Sequence, residues 1–321
     1  MRCLVIGGAG QDGILLAAQL LADGYRVTTV SRRPVHLENV QHRTADATDH
    51  TALAAIVADT APDEIYYLAA NHRSSQDANP PLDTDVAGCL AVNTVAFGSL
   101  LAAVERHVPT ARTLYASSCR IFGLGDGRLL DEDAVKSPTC PYGVSKVAGM
   151  SVADLYRRER GLFVSSAILF NHESELRPAS FLSKKLALAA LAARTDPDVR
   201  VQVGSLDDEA DWGSARDYVS AMRCILGTGS AGDYVVATGV LRTVREFAEV
   251  CFGTFGLDWR MHVVATAVDG GPRWRLRGSA AKLLAHSDWR PVFDFPSMVL
   301  DLVTRTDRDE RQRPASFHSY L

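Results

Sequence analysis

Tyr142 and Lys146 stand four residues apart, directly behind Pro141. In a helix that spacing turns both side chains out from one face. An ammonium group at that distance lowers the pKa of the phenol, so the pair reads as a general base. Ser117 and Ser118 close an earlier apolar run, and a serine hydroxyl beside the tyrosine could share the proton of a bound alcohol. Nine tyrosines in 321 residues make a tyrosine–lysine pair at this spacing weak alone. Its weight comes from what precedes it in the chain.

At the amino end, an apolar run from Leu4 stops at a glycine, and Gly7, Gly10 and Gly13 follow three apart before a helical stretch from Ile14 to Ala22. This predicts a strand, a tight turn and a helix start. Gly7 permits the turn, Gly10 lets a pyrophosphate approach the backbone amides, and Gly13 lets the helix pack on the strand. Gln11 and Asp12 fall inside the same turn. A second strand, Tyr25 to Val30, runs into Ser31, Arg32 and Arg33. An acid there would accept ribose hydroxyls; a serine and two arginines suit a 2′-phosphate, which favours NADP over NAD. Two solvated loop arginines are the plain alternative. Asp46 and Ala47 end the third strand near the expected adenine. Leu68, Ala69 and Ala70 end the fourth, where small residues let the backbone lie against a cofactor.

The elements that must hold these residues alternate strand and helix with short connections. They predict right-handed crossovers, an α/β doubly wound parallel sheet of Rossmann type, and a ligand at its carboxyl edge. Val86 to His107 reads as a long helix, Thr113 to Ala116 as the fifth strand and Val164 to Leu169 as the sixth. The polar loop from His72 to Asp85, with Pro80-Pro81, is expected to be exposed and to cover the site. Beyond Leu176 the pattern changes. Residues 1–176 are read as the dinucleotide-binding domain and 177–321 as a smaller substrate lobe interleaved with it. Arg305 to Leu321 is expected to be a polar surface tail.

Composition sets outer bounds. Apolar residues make 47% and charged residues 22% of the chain, values of a globular protein. A net charge of -4 gives no basic field for nucleic acid. No apolar run reaches the ~20 residues that span a bilayer. The chain enters a strand at once, so no signal peptide is expected. Six scattered cysteines lack a CxxC pair and read as reduced thiols of a cytoplasmic protein, with neither disulfides nor a metal site.

Four stretches resemble the GDP-mannose 4,6-dehydratases, within the extended short-chain dehydrogenase/reductase family. They are Gly10-Gln11-Asp12-Gly13, Leu169-Phe170-Asn171-His172-Glu173-Ser174, Asp211 to Val219 beginning Asp-Trp-Gly, and Val244-Arg245-Glu246-Phe247. The resemblance implies a nucleotide-sugar substrate, a GDP-sugar, and a nicotinamide cofactor across the sheet edge. It places the catalytic hydroxyl on Ser118, the tyrosine on Tyr142 and the lysine on Lys146, which also holds the nicotinamide ribose. It places Asn71, Asn171, His172, Arg177, Lys185 and Arg216 on the substrate side. Dimers or tetramers are the implied assemblies.

The departures matter as much. The dehydratases carry a glutamate two residues after the catalytic hydroxyl; here that residue is Arg120. Arginine stays cationic and cannot take the C5 proton that dehydration must remove. Strand alternation turns Cys119 away. Ala210 stands where many relatives have arginine, and Asp269-Gly270 where they have Arg-Pro, so Arg273 or Arg275 is expected at the phosphates. The expectation is therefore C4 oxidation followed by hydride return to the other face, a 4-epimerase, with Arg120 on the sugar. The alternatives are a 4-keto reductase, a 4,6-dehydratase with a relocated base and, outside enzymes, a cofactor-sensing regulatory protein.

Overall fold

The computed structural model describes residues 1–35, 37–72, 82–266 and 274–312, without the side chains of residues 83, 84 and 312. Pro80-Pro81, Asp269-Gly270 and Arg273 lie outside the described residues.

Seven strands form one sheet: β1 (Arg2–Ile6), β2 (Arg26–Ser31), β3 (Val40–Thr44), β4 (Glu64–Tyr67), β5 (Arg112–Ser118), β6 (Val164–Leu169) and β7 (Asp233–Val236). Their order is β7-β6-β5-β4-β1-β2-β3, and every neighbouring pair is parallel. β4 and β6 are buried at every position, as helix-covered parallel strands must be. The strand order reverses at β1, which opens a crevice at the carboxyl ends there. The glycine turn follows β1 at that point.

Gly7 adopts φ +93°, and a Cβ on it would lie 2.6 Å from the Ala69 nitrogen. A Cβ on Gly13 would lie 2.5 Å from the Gly7 carbonyl oxygen. Both positions require glycine if helix Gln11–Ala22 is to sit against the sheet. The expected long helix is broader than its sequence signal: Leu82–Leu90 runs through a π turn, Ala91–Val95, into Ala96–His107. Within it, Asp85–His107 is by length and composition apolar enough to cross a membrane, contrary to the sequence expectation. Phe97, Leu100, Leu101 and Val104 of that segment are buried in the main core, which accounts for its apolar character.

A second core gathers Leu186, Trp212, Phe247, Phe252, Val299 and Leu302. Around it lie a three-stranded sheet (Asn171–Glu173, Glu209–Ser214, Leu241–Thr243) and a parallel pair (Val201–Val203, Val263–Ala265). Between these pieces the chain returns to the main sheet through β7. The expected tail from Arg305 is instead the second half of helix Phe295–Gln312 as far as that residue. Ion pairs one turn apart, Arg305–Asp301 at 2.6 Å and Arg311–Asp307 at 2.6 Å, support a helix in a polar stretch.

The two parts meet at a polar seam. His172 Nε2 lies 3.0 Å from Asp12 Oδ2, Gln11 Nε2 donates to the His172 carbonyl at 3.2 Å, and Ser174 Oγ donates to Gln11 Oε1 at 2.8 Å. Burial alone would raise the Asp12 pKa, but His172, Arg177 and Gln11 outweigh it and hold the carboxyl at about 2. A depressed carboxyl stabilises the fold above its unfolded pKa, and that gain disappears as pH falls toward 2. Asp12→Asn is therefore expected to cost about 2 kcal/mol at pH 7, measured by urea unfolding. The deficit against the native chain should shrink below about pH 4.

Candidate active site

A cavity of about 730 Å³ opens beyond the carboxyl ends of β4, β5 and β6. Asn71 and His72 line it from behind β4, Cys119 and Arg120 from behind β5, and Asn171 from behind β6. Tyr142 enters from helix Pro141–Arg160, with Arg177 and Lys185 farther along the chain. Pro141 occupies the first turn of that helix, and Cys140 caps it by accepting from Gly143 N at 3.4 Å.

Ser118 Oγ accepts from Arg120 N at 3.3 Å, and its hydroxyl lies near enough to Tyr142 to act on the phenol. Burial pushes the Tyr142 phenol up; Ser118 and the charge of Arg177 pull it back only in part. Lys146 is completely enclosed, donates to the Ala116 carbonyl at 2.7 Å, and stands 5.4 Å from the Tyr142 ring centroid. Burial pulls its ammonium down to about 7. Burial thus works against the ionised tyrosine expected beside a fixed ammonium, because both groups are desolvated.

Arg120 lays its guanidinium carbon 3.4 Å from the centre of the Trp274 ring, and among the described residues no ion pair joins it. Cys119 does line the cavity, against the alternation argument, because β5 ends at Ser118 and a 3-10 turn follows. Burial raises its thiol to about 12, so it is not an activated nucleophile.

Two expected substrate contacts are not in the cavity wall. His172 turns its ring to Asp12 and to the Phe170 carbonyl, 2.7 Å away. Arg216 is held by Glu175 at 2.6 Å and Asp301 at 3.0 Å. Arg177 lines the cavity but also pairs with Glu173 at 3.1 Å. Arg275, expected at the phosphates, pairs with Glu209 at 2.5 Å.

Toward the glycine turn, no side chain caps the amino end of helix Gln11–Ala22, and only the Gly7 oxygen, at 3.3 Å, lies near a Cβ built on Gly10. The side chains of Gln11 and Asp12 are engaged in the seam, so what they offer a phosphate is backbone N–H. Arg32 is 81% exposed and 3.9 Å from Asp46. Backbone and side-chain hydrogen bonds from Thr48 hold Asp46 below its usual range. Ser31 donates to the Arg33 carbonyl at 2.7 Å, while Leu68, Ala69 and Ala70 follow β4 beside the turn.

Three residues escaped the sequence reading. His72 packs its ring on Tyr142, centroids 4.6 Å apart, and on Phe181 at 5.7 Å. Asn93 is buried in the π turn; its carboxamide accepts from Asn71 N at 3.0 Å and donates to Ser145 Oγ at 2.9 Å. The wider turn frees the Asn93 carbonyl to accept from Tyr115 OH at 2.7 Å. A polar residue on an otherwise apolar helix face was the available signal for Asn93. Trp274, which carries Arg120, offered none.

The GDP-mannose 4,6 dehydratase family model matches residues 4–301. A GDP-mannose 4,6-dehydratase of Sinorhizobium fredii is 34% identical over 80% of this chain and 77% of its own length. GDP-mannose 4,6 dehydratase 2 of Arabidopsis thaliana is 32% identical over 94% of this chain and 85% of its own. Among solved structures, a dTDP-glucose 4,6-dehydratase from Bacillus anthracis in complex with NAD superposes with a TM-score of 0.85 at 19% identity, covering 98% of this chain and 99% of that one, a likeness of fold. The sequence relatives are named as dehydratases, so the 4-epimerase expectation gains no support from them and the dehydratase alternative fits better. Match, relatives and fold agree that the chain belongs to the GDP-mannose 4,6-dehydratase family of extended short-chain dehydrogenase/reductases.

Proposed function

We propose that this chain oxidises a GDP-hexose at C4 and then eliminates water across C5 and C6, as a 4,6-dehydratase. The observation that carries the reading is the cluster of Ser118, Tyr142 and Lys146, of which Tyr142 lines the cavity, in a chain matching the family model over residues 4–301. A nicotinamide dinucleotide fits the uncapped helix end behind Gly10, and it would supply the hydride acceptor and donor. Gly7, Gly10 and Gly13 shape its turn, and Ser31, Arg32 and Arg33 suit the 2′-phosphate of NADP better than the bare ribose of NAD.

The chain's own work is proton handling and orientation. Ser118 orients the C4 hydroxyl and Tyr142 receives its proton. Tyr142 must first shed its own, and Lys146 is the acceptor one helical turn away. Above about pH 7 that amine is neutral and able to accept. The resulting phenolate and ammonium then stabilise one another. Arg177 and Lys185 supply positive charge along the cavity for the diphosphate. Arg120, on its Trp274 platform, faces the sugar as a fixed cation and stabilises oxygen charge developing on the ketone.

Mass spectrometry of GDP-mannose incubated with the chain and NADP or NAD tests the reading. A product lighter by one water supports it; an isobaric product, or one heavier by two hydrogens, overturns it in favour of an epimerase or a reductase. Tyr142→Phe should lower kcat by roughly 10²-fold or more with the thermal midpoint unchanged. In native protein the pH–rate profile should rise through about pH 7, the region of the lowered Lys146 value. The sign follows from the neutral amine being the active form. Lys146→Met should lose that rise.

A further inference from the structure

Elimination needs a group that takes the C5 proton and one that protonates the departing hydroxyl. Arg120 can do neither at ordinary pH. Several cavity carboxylates are committed elsewhere. Glu173 accepts from Ser183 Oγ at 2.5 Å and from Arg177 at 3.1 Å. Glu209 holds Arg275. Asp211 accepts from Thr238 N and Oγ1 and from the backbone of Gly239 and Gly278.

His72 is differently placed. It lines the cavity, opens onto its solvent space, and rests on the ring of Tyr142 itself. Tyr142 serves C4, and C5 is the next ring atom. A group packed on the phenol therefore stands beside the part of the cavity that C5 would enter. Loss of solvent around the ring, and the positive charges of Arg177 and Arg120 near it, hold the imidazole below the ordinary histidine range. It is thus neutral at pH 7, the form that accepts a proton.

We propose that His72 is the acid–base group of the elimination, doing the work for which Arg120 is unsuited. The inference rests on the dehydratase reading above. The imidazole takes the C5 proton, the C5–H electron pair becomes the C5–C6 double bond, and the C6–O bond breaks. The imidazolium gives that proton to the departing hydroxide, which leaves as water, and the ring is neutral again. The double bond is then saturated at C6 by the hydride removed from C4 and at C5 by a solvent proton. The sum is loss of one water without net oxidation.

The test is GDP-mannose turnover in deuterium oxide, reading C4 oxidation as reduced nicotinamide in a single turnover and C5 exchange by mass spectrometry. His72→Gln should retain C4 oxidation while C5 exchange and water loss fall by roughly 10²-fold or more. Added imidazole should restore part of the loss in His72→Ala. In cofactor-free protein, GDP-mannose should shift the His72 imidazole resonance; an unmoved resonance overturns the proposal. Native rates in His72→Gln, or loss of exchange in Asp85→Asn with His72→Gln unaffected, also overturn it. Native protein that oxidises C4 without any C5 exchange defeats the dehydratase reading itself, a result distinct from those.

Discussion

The carboxylate of Asp12 facing His172 across 3.0 Å is the contact on which the site's shape depends. Asp12 belongs to the first turn of the helix behind the glycine turn, and His172 to the short strand that begins the second sheet. Gln11 and Ser174 close the same seam. Strand Asn171–Glu173 then pairs in register with Trp212–Ser214, which carries the second core. The glycine turn and the cavity are thereby built off one wall. A shift at that wall would move both, and proximity catalysis tolerates little displacement.

The cavity pairs this rigidity with an unusual charge pattern. Arg120, Arg177 and Lys185 bring positive charge to its wall, while Glu173 and Glu209 are bound to cations of their own. That arrangement suits an anionic nucleotide diphosphate and an oxygen gaining charge. Burial lowers the Lys146 ammonium, and burial together with nearby positive charge lowers the His72 imidazole. Their neutral forms are what proton abstraction requires.

Much of this was legible in the sequence wherever the determinant was local. The glycine turn, each strand and helix of the alternation, and the Tyr142–Lys146 spacing are each set by residues close together in the chain. What failed depended on distant partners. His172 reads as a substrate contact until its partner, 160 residues away, is in place. Arg216 likewise reads as a substrate contact until Glu175 and Asp301 claim it. The helix beyond Arg305 was hidden by its polarity, since its support comes from ion pairs one turn apart rather than an apolar stripe. His72 looked like the first residue of a polar loop, because nothing near it in the chain announces that Tyr142 will lie against its ring.

The central claim is that a hexose oxidised at C4 loses water under the control of an imidazole rather than a carboxylate. Its most direct measurement is a crystal structure of the chain with a nicotinamide dinucleotide and GDP-mannose. The prediction is C4 against Tyr142 and C5 within hydrogen-bonding reach of a His72 nitrogen. A carboxylate of Asp85 or Glu173 positioned on C5, with His72 turned from the sugar, would contradict it.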